Sequence, residues 1–154
     1  LWGQKQERTP TWFGLFTADG EETEAVDVMH YIWNGAWPDN RTPSVSSFVL
    51  DGKTAAESVR LRAGQQYQAS VAATDPDGDD LAYRWALKPE SDATQSGGLF
   101  EATIEDLALQ LVGPADRDID FVAPSASGAY RLFVYASDGH DHVAHANIPF
   151  YVDP

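Results

Sequence analysis

Asp75, Asp77, Asp79 and Asp80 put four carboxylates within six residues, on a turn that also carries Gly78. Crowded like charges repel one another unless water solvates them or a hard cation neutralises them, and all-oxygen donors suit Ca²⁺. The spacing is not that of an EF-hand: Gly78 falls fourth from Asp75 rather than sixth, and no Glu closes the loop. A plainer role is equally open, in which Asp75-Pro76-Asp77-Gly78 is a solvated tight turn whose Asp side chains cap the backbone.

Other side chains have suitable chemistry but the wrong spacing. His140, His142 and His145, with Asp138 and Asp141, are ligand types for Zn²⁺. Along a strand, however, His140 and His142 share a face and His145 takes the other, which favours a solvated hairpin edge. Hydrolysis of a sugar bond needs two carboxylates about 5–10 Å apart across the substrate. Glu21, Glu22 and Glu24 instead crowd the first turn of one helix, where the helix dipole accounts for them. There is no Gly-x-Ser-x-Gly elbow and no phosphate-cradling Gly-rich loop, so no catalytic site is expected in this chain.

Sugar binding rests on flat exposed aromatics that stack against C–H faces. Trp37, before a proline in a polar stretch, is one candidate. Phe133, Tyr135 and Tyr151, opposite the expected core positions, could form an outward platform. The competing reading is packing, with Trp37 and the tyrosines covering an interface with the preceding helix. Trp85, in step with Leu81, Tyr83 and Leu87, is the expected core tryptophan.

These residues need elements to position them. Thr11–Phe16 reads as a short strand, Asp19-Gly20 as a turn, and Ala25 to Trp33 as a helix stopped at Asn34-Gly35. The helix is apolar over more than one stripe, which predicts burial against other protein. After the polar stretch Asp39–Pro43 the period changes to two. Tyr67, Ala69, Val71 and Ala73 form one face; so do Leu81, Tyr83, Trp85 and Leu87; Tyr130, Leu132, Val134 and Ala136; and Ala144, Ala146, Ile148, Phe150 and Val152. Weaker strands are expected at Val45–Leu50, Ser58–Leu61, Leu99–Ile104, Leu109–Val112 and Ile119–Val122. Dipeptides such as Asp51-Gly52, Asp77-Gly78 and Asp138-Gly139 separate them. The fold class is therefore mainly β, an immunoglobulin-like antiparallel sandwich of 7–8 strands with an N-terminal strand-helix appendage.

Composition narrows the partners. The chain has 154 residues and a net charge of -14, which repels phosphate backbones and anionic lipid. No nucleic-acid partner and no membrane partner is expected. No cysteine is present, and no apolar run reaches the roughly 20 residues that span a bilayer. Residue 1 is Leu and no signal peptide precedes it, so the chain reads as cut from a longer precursor.

Thr74-Asp75-Pro76-Asp77-Gly78-Asp79-Asp80-Leu81-Ala82-Tyr83-Arg84-Trp85 resembles the D-x-D-G-D-x-L-x-Y-x-W signature of PKD-like and cadherin-like repeats. Phe121–Pro124, Gly128–Val134, Tyr135–Gly139 and Ala144–Ile148 look like the later strands of that family. The resemblance implies Ca²⁺ at one pole of the sandwich. Its ligands, carried over by position, would be Asn40, Asp75, Asp77 and Asp138. The Asp39-Asn40-x-x-Pro43 run resembles a cadherin-like linker but lacks the further acid usual there.

Leu1–Gly14 looks like the closing strand of a glycoside-hydrolase TIM barrel, and Thr23–Met29 like the start of its last helix. This divides the chain into residues 1–37, a barrel remnant; 38–43, a linker; and 44–154, the sandwich. The resemblances imply a non-catalytic accessory module, a spacer or docking unit on a secreted or periplasmic carbohydrate-active enzyme. Its partners would be the upstream barrel of the same polypeptide and a polysaccharide. Two alternatives are a carbohydrate-binding module with an aromatic platform, and the C-terminal fragment of a glycoside hydrolase whose active site lies upstream.

Overall fold

A computed structural model describes residues 14–91 and 104–154. Among these, helix α1 (Glu24–Asn34) precedes eight strands: β1 (Ser44–Leu50), β2 (Val59–Arg62), β3 (Gln66–Thr74), β4 (Ala82–Pro89), β5 (Gln110–Leu111), β6 (Asp118–Val122), β7 (Gly128–Ser137) and β8 (Val143–Asp153). The strands form two four-stranded sheets, ordered β1-β3-β6-β5 and β2-β8-β7-β4. All pairings are antiparallel except β2 with β8. The first sheet has the A-B-E-D order of an immunoglobulin-like sandwich, and β4, β7 and β8 supply its C, F and G strands. The chain is a mainly β sandwich with a helical appendage.

The alternating apolar positions meet between the sheets. Ala69 and Val71 from β3, Trp85 and Leu87 from β4, Leu132 and Val134 from β7, and Ile148, Phe150 and Val152 from β8 share one buried cluster. Trp85 packs edge-on to Phe48, ring centroids 5.5 Å apart, and its indole N–H donates to the Asp116 carbonyl at 2.8 Å. The indole is thus buried without an orphaned donor, which would destabilise by about 1–3 kcal/mol. Tyr130, at the start of β7, stacks on Phe150, and its hydroxyl donates back to the Ala126 carbonyl at 2.9 Å. That contact is the tyrosine corner of immunoglobulin-like domains.

Some expected elements differ. Leu109–Val112 shortens to the two residues of β5. Ser58 stands outside β2 because its φ of 51° is left-handed, which a strand does not accept. Half of the expected strand at Thr11–Phe16, and all of Leu99–Ile104 but its last residue, lie outside the described residues. Within reach, Phe16 makes a lone bridge to Glu22, and Ile104 is not in a strand.

Helix α1 ends where expected, at Gly35, whose φ of 72° lets its N–H bond the Tyr31 carbonyl at 2.8 Å. The sandwich covers its apolar side chains only in part. Ile32 and Trp33 are 70% and 73% exposed, and Val28 and Tyr31 are also open. Asp27 is the one buried residue of the helix; Ala25, Val26 and Met29 are half-buried, and the apolar side chains towards its C-terminus are largely open.

Candidate metal centre

Two aspartates begin the two turns that meet at one pole, and each gathers the backbone that follows it. In the β3–β4 turn, Asp75 Oδ1 accepts the N–H groups of Asp77, Gly78 and Asp79 at 2.8, 3.0 and 3.2 Å. Gly78, at φ 88°, supplies the left-handed residue that this winding needs. In the β7–β8 turn, Asp138 Oδ1 accepts the N–H groups of His140 and His142 at 2.7 and 3.2 Å. The paired turns bring carboxylate oxygens of Asp75, Asp79 and Asp138 within 4.8 Å of one another. This acidic cluster can hold a metal ion.

The polar stretch before β1 is bonded to the same pole. Asn40 Nδ2 donates to Asp138 Oδ2 at 2.9 Å, and the Arg41 N–H donates to Asp77 Oδ2 at 2.6 Å. The Thr42 N–H donates to Asp27 Oδ2, on α1, at 2.8 Å. Three consecutive residues are therefore held by carboxylates from three different elements. Asp27 is 1% exposed, so its carboxylate ties α1 to the start of β1 from within. Backbone bonds add to this: the Glu22 N–H donates to the Asp141 carbonyl, and the Val143 N–H to the Glu22 carbonyl.

The electrostatics favour a charged, oxygen-rich pole. Burial pushes the Asp138 carboxyl up, but the His140 N–H, the Asn40 amide, the His142 N–H and the His142 ring outweigh it. The result lies below the ordinary carboxylate value. Asp75 Oδ2 is buried and accepts no hydrogen bond among the described residues. A desolvated carboxylate oxygen of that kind is what a cation would satisfy. The donor set is carboxylate oxygen, with Asn40 able to present its carbonyl oxygen if the amide turns over. That chemistry fits a hard divalent cation.

Of the four positions carried over from the family pattern, Asp75 and Asp138 meet in the cluster and Asn40 adjoins it. Asp77 does not join. The turn winds around the Asp75 carboxylate, so Asp79 returns over Asp75 while Asp77 points to the Arg41 backbone. Asp79 stood in the acidic run, but nothing in its spacing alone separates it from Asp77. His142, expected on a solvated edge, has a side chain only 14% exposed, with Nδ1 2.7 Å from Asn40 Nδ2 and Nε2 3.7 Å from Glu22 Oε2.

The outward aromatic platform is corrected by the structure. Phe133 is 0% and Tyr135 6% exposed, in a second cluster with Ala86 and Val143. They do face away from the inter-sheet core, but they are covered. Burial pushes the Tyr135 phenol up; Arg84, 3.9 Å over its ring, opposes this, and Asp106, Glu21 and Asp19 add to it. Those acids belong to the segments beside α1 and β5 that lie across this sheet. Trp37 remains partly exposed, but Tyr31 stacks on it at 4.6 Å and Arg41 lies over it at 4.1 Å. Both partners occupy ring surface that a sugar would otherwise stack on. Tyr151 remains open, 41% exposed.

No protein-family model matches the chain, and no curated protein matches it. Among solved structures it is similar to a nucleoside hydrolase-related hypothetical protein from Saccharophagus degradans that is associated with carbohydrate metabolism. That alignment has 19% identity and a TM-score of 0.44 over 74% of this chain and 26% of the other, so the chain spans about a quarter of that protein. It is also similar to PcoC, a methionine-rich copper resistance protein from Escherichia coli, with 17% identity and a TM-score of 0.40 over 73% of this chain and 99% of PcoC. Likenesses this weak leave function to be argued from the chain's own residues.

Proposed function

We propose that the chain is a PKD-like or cadherin-like accessory module of an exported carbohydrate-active enzyme, non-catalytic itself and stiffened by Ca²⁺. The observation that carries this reading is the held linker. Asn40, Arg41 and Thr42 are each bonded by a carboxylate of a different element. One of those acids, Asp138, belongs to the metal-binding cluster, and another, Asp77, sits on the turn that carries Asp75 and Asp79. A Ca²⁺ ion there would neutralise the cluster and fix both turns against the linker, so that helix and sandwich move together. The acidic-turn signature and the oxygen-only donor set support calcium over softer metals.

The open flank of α1, with Tyr31, Ile32 and Trp33, is the surface that an upstream barrel of the same polypeptide would cover. Residues 1–37 would then belong structurally to that barrel, residues 38–43 would form the joint, and residues 44–154 would be the module. The enzyme's catalytic carboxylates would lie upstream.

Thermal unfolding with Ca²⁺ and with EDTA tests the metal reading. At a hundredfold excess over Kd, a native-state ligand adds about 2.7 kcal/mol. That corresponds to roughly 5–10 °C for a chain of this size. Asp75→Asn should abolish the shift. A melt that is the same in both solutions removes calcium from the reading.

A further inference from the structure

The outer face of the β2-β8-β7-β4 sheet carries a second feature, at the end away from the acidic pole. Tyr151 pairs with Ala129 on β7 and Arg60 on β2, whereas the acidic turn follows Ser137, eight residues along β7. At ~3.3 Å per residue the two ends are roughly 26 Å apart. Ala129 ends at Cβ, so the residue paired with Tyr151 on β7 is small. A groove of about 370 Å³ opens there, with Ser58, Arg60, Glu90, Pro149 and Tyr151 among its walls.

The charges around this groove are matched. Arg60 donates from Nε to Asp153 Oδ2 at 2.9 Å and from its terminal nitrogen to Oδ1. Arg131 donates from Nε to Glu90 Oε2 at 3.0 Å. In a chain of net charge -14, this face thus offers donors and acceptors with little net charge. An anion or a bare cation finds its counter-charge already taken. A neutral polyol, in contrast, can add hydroxyl hydrogen bonds to guanidinium and carboxylate groups that stay paired and partly solvated. The Arg60 guanidinium lies 4.9 Å over one face of Tyr151 and steadies the ring, leaving the other face towards Ala129 for C–H stacking.

We infer that this groove is a sugar-binding subsite that takes a ring of a neutral glycan. It stands on the groove's geometry and does not rest on the metal reading. Of the aromatic residues considered for sugar binding, Tyr151 alone combines a free ring face with adjoining space and polar groups.

The test is amide-resolved NMR titration of the chain in EDTA with cellohexaose, xylohexaose and laminarihexaose, each to about 10 mM, since one subsite implies a Kd near the millimolar range. At least one should shift the amides of Ser58, Ala129 and Tyr151. Tyr151→Ala should weaken that binding about tenfold or more, and Tyr151→Phe should keep it, because stacking needs the ring. Ala129→Leu, which fills the groove while leaving Tyr151 in place, should also abolish it; far-ultraviolet circular dichroism of each variant establishes that it is folded. No shift with any of the three sugars, or full binding by folded Tyr151→Ala, overturns the assignment. Neither result touches the calcium melt, so the two readings fail separately.

Discussion

The outer face of β7 and the free flank of α1 carry similar side chains and have opposite fates. Phe133 and Tyr135 point away from the inter-sheet core yet are buried, whereas Tyr31, Ile32 and Trp33 remain open. Flanking segments pair at the edges of this sheet, Glu22 with His142 and Leu107 with Leu87, and Arg84 lies 3.9 Å over the Tyr135 ring. The helix flank has no such cover among the described residues. The direction of a side chain follows from backbone period, but its burial depends on what else crosses that face.

The largest effect should come from the covered side of this comparison. Phe133→Ala removes a fully buried ring and should destabilise by about 3–5 kcal/mol in urea unfolding. A loss under about 1 kcal/mol would mean that the cover over β7 is loose. An intermediate effect separates covered from open acids. In EDTA, Asp138 keeps its charge to a lower pH when folded than when unfolded, where its pKa is about 3.9. Its contribution is therefore present above that value and is lost as pH falls through the folded one. Stability measured from pH 7 downwards should drop less steeply below about pH 4 in Asp138→Asn than in the parent. Equal slopes would mean that the turn does not hold that carboxylate. The smallest effect should come from the open flank: Trp33→Ser should change the isolated chain's stability by no more than about 0.5 kcal/mol. A larger loss would show that the flank is covered after all.

The same contrast explains what the sequence made legible. Residues such as Ala69, Leu132 and Ile148 announce their inward direction by alternation, because a strand has only two faces. Asn34-Gly35 announces a helix end because few residues tolerate the left-handed region. The acidic cluster was half legible: four aspartates mark the turn, but which two approach Asp138 depends on how the backbone wraps around the Asp75 carboxylate. Asp27 gave no signal, since an acid in the early turns of a helix ordinarily serves the dipole; only the position of Thr42 reveals its second use. Tyr130 was legible as an inward residue but not as the corner bond to Ala126, which depends on the path before β7.

The parallel pairing of strand β2 with β8 has a mechanical consequence. Both strands run away from the acidic pole, and Val59 to Arg62 pair one for one with Phe150 to Asp153. Tension between Asn40 and Asp153 is directed along these strands, so it drags the four pairs past one another together instead of peeling them apart in turn. Stretching along this direction therefore breaks many bonds at once, whereas a pull across the strands would open them one at a time.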